Sequence, residues 1–327
     1  MNALRWRGAK GGPMRVAVLV PPRINNGRVD QDDTFVQADE VSACLRDLGH
    51  EAIPAEYADH GLRTVSNLSD ICPDIVVNLV EEVPEGPDQV HRATALLDRL
   101  GIPYTGARTP ALLALGDKRT MKPLLAAAGL PIVPGIEDAP PYSTFIVKSA
   151  IEHASLGMDA SSVVHGIDAA RELIAQRHAR FGGEWFAEVY IDGREFDVSL
   201  LETPDGTIVL PIAEIAFSGH QDGRPRLFDY DSKWAPDSAS AHITQRIFPP
   251  REEPLFTELE RLARAAWNCF DLSGFAHVDF RVDRNGMPYI LEVNPNPCIG
   301  HEAGICEAAS KIGLSQTDVV AALLAAA

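Results

Sequence analysis

Apolar positions in this chain fall into short solid runs and longer helical stripes, and the two kinds take turns. Arg15–Val20, RVAVLV, is a short apolar run that suits a strand buried on both faces. A polar loop, PPRINNGRVDQDD, comes next. The spacing then predicts a helix over Thr34–Leu48, with Asp33 or Thr34 as N-cap and Gly49 just past its end. Glu51–Ala55 reads as a second strand and Asp74–Val80, DIVVNLV, as a third buried one. Gln89–Leu100 reads as a helix stopped by Gly101. Strands alternating with helices predict a parallel sheet covered by helices. Ligands of such sheets sit beyond the carboxyl ends of the strands. That singles out the loops after Val20 and Val80, the second carrying Glu81, Glu82 and Glu85. The same acids also fit an ordinary solvated loop.

Past the break at GIPYTG, residues 101–106, the pattern changes. Helices are predicted over Pro110–Leu115 and Lys118–Ala128, the second capped by Asp117 and ended by Gly129. Strands over Thr144–Lys148 and Ser161–His165 flank a small-residue loop, SAIEHASLGM. A lid over phosphates needs such a loop, because small residues let backbone N–H groups approach, and Lys148 adds a point charge. A plain hairpin connection fits this local sequence equally. A helix over Asp168–Arg180 precedes strands over Glu184–Ile191, Glu195–Leu201 and Thr207–Ile215. Residues 217–240 form a long polar stretch with no period, and loops of that length are usually functional or disordered. A helix over Pro254–Phe270 leads to a hairpin over Gly274–Asn294. Two short helices close the chain after NPNPCIGHEAG.

The hairpin carries the sharpest chemistry. Asn285-Gly286 between alternating apolar residues predicts a two-residue type I′ turn. Arg284 then faces Met287, Asp279 faces Glu292 and His277 faces Asn294, all four polar groups on one sheet face. Facing carboxylates repel by roughly 0.2–1 kcal/mol. A hard divalent cation with oxygen ligands offsets that. An ordinary surface hairpin with solvated acids is the alternative, and it explains poorly why an amide shares the face.

Composition narrows the partners. With 327 residues the chain is long enough for two or three cores. A net charge of -17 excludes a general phosphate-backbone binder, so no nucleic acid is expected. The five cysteines are scattered without a CxxC pair, which fits a reducing cytoplasm and gives no zinc site. No run reaches transmembrane length and the start has no secretory apolar region. Residues 1–13, basic and glycine-rich, are expected to be a disordered leader, with Met14 a second candidate start.

Taken together, the motifs resemble the ATP-grasp superfamily, in its D-alanine–D-alanine ligase branch. They are GIPYTG at 101–106, GDK at 116–118, AAGLPIVP at 127–134, VK at 147–148, LGM at 156–158, EVYIDGREFDV at 188–198, FDYDSKW at 228–234 and DF…LEVNPNP at 279–297. The resemblance implies an α/β and α+β protein of ATP-grasp fold. An N-terminal parallel α/β domain (14–106) would precede a central lid domain (107–187) and a C-terminal domain (188–327), the last two sandwiching ATP. By position, Lys118 and Lys148 resemble phosphate-contacting lysines. Glu188, Tyr190 and Ile191 resemble the adenine hinge, and Glu195 the ribose acceptor. Lys233 resembles a catalytic lysine near the γ-phosphate, and Ser155 the remaining lid serine. Asp279, Glu292 and Asn294 resemble the ligands of Mg²⁺, expected as two ions, with Mn²⁺ able to substitute. The implied activity joins a carboxylate to an amine through an acyl phosphate, on small-molecule substrates, and family members are often homodimers.

The departures lie at the amino-acid site. Where the family has an arginine two residues before the metal aspartate, this chain has His277, which lacks the planar fork and the permanent charge. The lid serine pair is Ala154-Ser155, the tyrosine after the lysine is Trp234, and Cys298 stands at an oxyanion glycine. The glycine-rich N-terminal substrate segment is replaced by VPPRINNG. Such changes predict substrates other than two D-alanines. His277 is expected to contact substrate, and Cys298 to be a backbone contributor or inert thiol. An authentic D-alanine–D-alanine ligase, a non-catalytic nucleotide-binding module and an acyl-phosphate enzyme with a non-amine or intramolecular nucleophile remain open at this point.

Overall fold

The computed structural model describes residues 12–23, 29–152, 155–218, 225–235, 237–250 and 254–327, excluding the side chains of 29–31, 59, 233, 234, 239 and 240. Apart from Gly12 and Pro13, the expected leader lies outside them.

Strand β1 (Arg15–Val20) is followed by helix α1 (Val29–Asp47), β2 (Glu51–Glu56), α2 (Leu62–Ile71), β3 (Ile75–Asn78) and α3 (His91–Leu100). β1 lies between β2 and β3 and pairs parallel with both. Both faces of this sheet are covered. Val16 and Val18 enter one core while Ala17 and Leu19 enter another. That double burial is why the strands read as solid apolar runs.

Two helical expectations need correction. α1 begins at Val29 rather than Thr34, so neither Asp33 nor Thr34 is its N-cap. Its leading acids are favourable at the positive end of the helix dipole, and without an apolar stripe they imitate a loop. α2 was not expected. Only Thr64 and Leu68 of it are buried, too thin a stripe to announce itself.

Next come α4 (Thr109–Leu115), α5 (Lys118–Ala127), β4 (Thr144–Ser149), β5 (Val163–His165), α6 (Ile167–Phe181) and β6 (Trp185–Val189). Asp117 caps α5 by accepting from the Arg119 N–H at 2.7 Å. β4 sits between β5 and β6 in an antiparallel sheet packed on α6 through Phe145, Val147, Trp185 and Ala170.

The rest of the chain contains β7 (Arg194–Thr203), β8 (Gly206–Val209), β9 (Ala213–Phe217), α7 (Tyr230–Trp234), α8 (Ala239–Ile243), β10 (Thr244–Ile247), α9 (Pro254–Cys269), β11 (Phe275–Val282), β12 (Pro288–Asn294), α10 (Gly304–Ser310) and α11 (Gln316–Ala325). The large sheet runs β10-β9-β7-β11-β12, with β8 also on β7. The single strand expected over Thr207–Ile215 is therefore two. β8 pairs the end of β7 and β9 its start, and the break falls at Pro211, which has no N–H for a ladder. Among its described residues the irregular 217–240 stretch holds α7 and the start of α8, and β10 after it was not expected.

The parallel sheet does not close its own core. Val319, Val320 and Leu323 of α11 pack with Val16, Val41 and Leu45, so the chain's end covers its beginning. The GIPYTG segment is also pinned to the large sheet. Ser273 Oγ donates to the Gly106 carbonyl at 2.9 Å. Gly274, at φ +73°, leaves no space for a side chain, since a Cβ would lie 2.9 Å from Gly106 Cα and N. Gly274→Ala is expected to lower unfolding free energy by about 2–4 kcal/mol through backbone strain plus overpacking. Urea unfolding checks this, and a loss under about 1 kcal/mol would show that the two segments part easily.

Candidate active site

The hairpin reaches the expected pairing by an unexpected route. His277 faces Asn294, Val278 faces Val293 and Asp279 faces Glu292. Nearer the turn the register is different, with Phe280 facing Ile290 and Val282 facing Pro288. The turn is not the two-residue type I′ expected. Gly286 N–H donates to the Asp283 carbonyl at 3.0 Å, and Asp283 N–H donates to the Met287 carbonyl at 3.0 Å. Three residues, Arg284, Asn285 and Gly286, therefore form the loop, with Gly286 at φ +81°. This is the three-residue hairpin with a left-handed glycine. It is stabilised by the Asp283 carboxylate, which accepts from the Asn285 and Met287 N–H groups. A β-bulge at Leu291 then inserts one residue on β12 and restores the register at the acids.

β7 supplies the other side of that face. Asp197 pairs with Asp279, and Ser199 with His277. Asp197, Asp279 and Glu292 thus form a row of three carboxylates across three strands, beside a row of Ser199, His277 and Asn294. Among the described residues, three basic side chains approach the acid row. Lys118 Nζ lies 3.3 Å from Glu292 Oε1 and donates to the Glu152 carbonyl at 2.6 Å. Arg246 of β10 reaches Asp197 Oδ2 at 3.5 Å. His277 Nε2 lies 3.2 Å from Asp279 Oδ1 and 3.7 Å from Asp197 Oδ2, while its Nδ1 is 3.0 Å from Ser199 Oγ. Burial alone would discharge this imidazole, but the two aspartates overcome it and hold its pKa up at about 10. His277 therefore bridges the two aspartates and Ser199 of its own sheet. Asp197, His277 and Asp279 each offer a ligand atom, all within 4.8 Å of one another. Asp279 Oδ1 is buried yet makes no hydrogen bond, so the His277 contact is an ion pair at a poor angle. An orphaned carboxylate oxygen facing Glu292 across the ladder, with Asn294 two residues further along β12 and its Oδ1 accepting from the Asn296 N–H at 3.0 Å, is a hard-oxygen donor set that fits Mg²⁺.

A cleft of about 810 Å³ opens at this corner. Its walls include Pro21, Pro22, Glu81 and Glu82 from beyond β1 and β3, and Asp197, His277, Asp279, Glu292 and Asn294 from the large sheet. The two loops chosen from the strand order do line it. Glu85 does not; it turns to His60 and Arg92. Cys298 lines the cleft with Asp33 Oδ2 at 3.4 Å from its sulfur. Burial, then Glu81 and Asp33, push its thiol far above the ordinary range, which disfavours the thiolate a nucleophile needs.

The residues matched to nucleotide binding lie off this cleft. Glu188 is buried between Lys122 Nζ, at 2.6 Å, and Lys148 Nζ. Lys122 Nζ and both Glu188 oxygens lack a hydrogen-bonding angle, so the cluster holds by charge. Tyr190 Oη accepts from the Arg226 N–H at 2.8 Å. Ile191 follows in the half-buried connection to β7. Glu195 pairs with the buried Arg281 at 2.5 Å. Ser155 Oγ donates to the Phe228 carbonyl at 3.3 Å, which ties the lid loop to the FDYDSKW segment. Ala154 and the side chains of Lys233 and Trp234 lie outside the described residues.

Lys122, Asp197, Arg246 and Arg281 were not singled out from sequence. Lys122 follows Lys118 at helical spacing and Asp197 follows Glu195 by two in a strand, so both were readable as sharing a face. Arg246 gave no signal, because its strand was not foreseen.

Comparison with known proteins agrees with this architecture. The family described as D-ala D-ala ligase C-terminus matches residues 136–325. A D-alanine--D-alanine ligase of Granulibacter bethesdensis is 30% identical over 296 residues, covering 86% of this chain and 88% of that protein. One of Gluconobacter oxydans is 27% identical over 317 residues, covering 94% and 96%. The crystal structure of D-alanine--D-alanine ligase from Bacillus anthracis complexed with ATP superposes with a TM-score of 0.73 at 18% identity, covering 96% of this chain and 97% of that one. Among the described residues no helix is long and apolar enough to cross a membrane. The chain belongs to the D-alanine–D-alanine ligase family of ATP-grasp fold, ATP-dependent ligases that form carbon–nitrogen bonds.

Proposed function

We propose that this ligase joins a carboxylate to an amine that are not both D-alanine. The observation that carries the reading is His277. At the position where the resemblance expects a substrate-facing arginine, an imidazole is held by Asp197, Asp279 and Ser199 of its own sheet. A site that has lost a fixed guanidinium binds a different acyl partner, because unmatched polar groups are costly. His277 is on this reading a positioning residue for the acid row as well as part of the cleft wall, where the substrate contact expected from sequence would be made.

The substrate carboxylate attacks the γ-phosphate of ATP, giving ADP and an acyl phosphate. The amine then attacks the acyl carbon and phosphate leaves. Lys118 and Lys148 are the proposed phosphate contacts, with Lys233 near the transferred group. Glu188, Tyr190 and Ile191 form the adenine hinge and Glu195, oriented by Arg281, takes the ribose. Asp279, Glu292 and Asn294 would hold Mg²⁺, which when bound neutralises phosphoryl oxygens. Ser155, through its link to Phe228, closes the lid so that water does not consume the acyl phosphate. On this reading the three sheets are three domains, bounded near 106 and 187.

The test is ADP release from Mg-ATP with a panel of amino acids and other carboxylate–amine pairs. D-alanine alone is expected to give background ADP only, while a different pair gives equal amounts of ADP, phosphate and amide. Sustained turnover of D-alanine alone would overturn the substrate claim. Hydrolysis without amide would point to a different nucleophile.

A further inference from the structure

The cleft has a charge problem. The reaction brings a carboxylate, then an acyl phosphate, then a tetrahedral oxyanion into a cavity walled by Asp33, Glu81, Glu82 and Asp197 besides the proposed metal ligands Asp279 and Glu292. Lys118 is buried against Glu292 and the Glu152 carbonyl and does not line the cavity. His277 also lines the cavity but is held by Asp197, Asp279 and Ser199 of its own sheet. Among the described lining residues, two carry a guanidinium, Arg23 and Arg246. Arg23 is largely exposed, its charge stacked over the Phe35 ring at 3.8 Å. Arg246 stands beside the acid row.

The hold on Arg246 is loose. Nε and Nη2 reach Asp197 Oδ2, and Nη1 reaches Glu307 Oε2, each at 3.5 Å, the outer edge of hydrogen bonding. Charged pairs in firm contact sit near 2.7–2.9 Å. A guanidinium has five N–H donors in a planar fork, so this one has capacity to take a planar anion. The backbone gives it room. A Cβ on Gly304, at the start of α10, would lie 3.2 Å from Arg246 Cζ and Nη2. The guanidinium therefore rests against that backbone, aimed at the corner from strand β10.

We infer that Arg246 binds the acyl partner, its guanidinium taking the substrate carboxylate and then the acyl phosphate. This rests on the ligase reading above. It moves the cation from position 277 on β11 to the edge strand β10. The acyl partner's carboxylate is consequently placed on the β10–α10 side of the cleft.

The experiment titrates acetyl phosphate, a minimal acyl phosphate, into the full chain saturated with Mg-ADP, read by calorimetry. Wild type is expected to show saturable binding. Arg246→Ala should weaken it at least tenfold, Arg246→Lys should recover part of the loss, and Gly304→Ala should weaken it by crowding the guanidinium. The affinity of each variant for Mg-ADP should stay within twofold of wild type, which also shows that each is folded. Unchanged acetyl phosphate affinity in Arg246→Ala overturns the inference. So does a wild type that binds Mg-ADP but not acetyl phosphate, or equal loss of both ligands in every variant. A wild type that binds no Mg-ADP fails the proposed nucleotide site instead, and the inference falls with it.

Discussion

Asp279→Asn is expected to reduce ADP release by at least a thousandfold, with the substrate pair that wild type turns over, while leaving thermal stability unchanged or higher. The two halves of this expectation share one geometry. Asp279 faces Asp197 on one side and Glu292 on the other. Removing its charge relieves two like-charge contacts across the ladder, each about 0.2–1 kcal/mol. It also leaves His277 between fewer acids, which returns some of that gain. If the carboxylate were structural, nothing further would follow. On the proposed reading, its buried Oδ1, without a hydrogen bond, is a metal ligand. Losing it would remove about 4 kcal/mol of transition-state stabilisation, equal to the thousandfold loss. A readout apart from turnover exists. Wild type should gain melting temperature when Mg²⁺ is added with ADP, because a ligand bound only by the folded state stabilises it. The variant should gain little from Mg²⁺ over ADP alone. Turnover within tenfold of wild type, or an intact Mg²⁺ shift, would remove Asp279 from the metal site.

The hairpin shows how sequence reading can reach a right contact through a wrong turn. Asn-Gly predicted a two-residue loop. The Asp283 carboxylate favours a three-residue one, by accepting from two N–H groups that a type I′ turn would not offer. A one-residue slip would normally throw every later side chain to the other face. The bulge at Leu291 absorbs it, so Asp279 still faces Glu292. Neither device is visible in a hydrophobic pattern, and each would have spoiled the prediction without the other. The motif match was insensitive to both. The parallel sheet was legible because burial on two faces leaves solid apolar runs. β10 was not, because TQRI is an edge strand of mixed character whose burial is only partial. With it went Arg246, since a residue that cannot be placed on a strand cannot be placed in a site. The C-terminal helices were seen, but not their packing against the first sheet, for amphipathicity names a buried face and not what covers it.

Glu188→Ala is expected to cost about 3–5 kcal/mol of unfolding free energy, the range for breaking a buried charge cluster on one side only. Glu188 is 1% exposed and sits between Lys122, itself buried, and Lys148. Truncation leaves two ammonium groups in a low-dielectric pocket with each other for company. Replacing Lys122 by Met as well should restore at least half of the loss, because one unpaired charge then leaves with its partner. The sign with pH follows from the shifts. Burial would raise the Glu188 pKa, but Lys122 and Lys148 overcome it and hold it below the ordinary 4.5. Its contribution is complete above that value and is lost as pH falls from there toward the depressed folded value. Burial lowers the Lys122 pKa despite Glu188, so stability also rises with pH in the alkaline window below the ordinary 10.5. The gap between wild type and Glu188→Gln should therefore narrow below about pH 4.5 and stay wide near neutrality, read from urea unfolding at several pH values. The same cluster lies at the end of β6, where the chain passes into Tyr190 and Ile191. A variant that costs stability while leaving Mg-ADP affinity intact would make Glu188 a structural anchor of the hinge and not a reader of adenine. Loss of affinity beyond that accounted for by unfolding is the outcome the proposed nucleotide site requires.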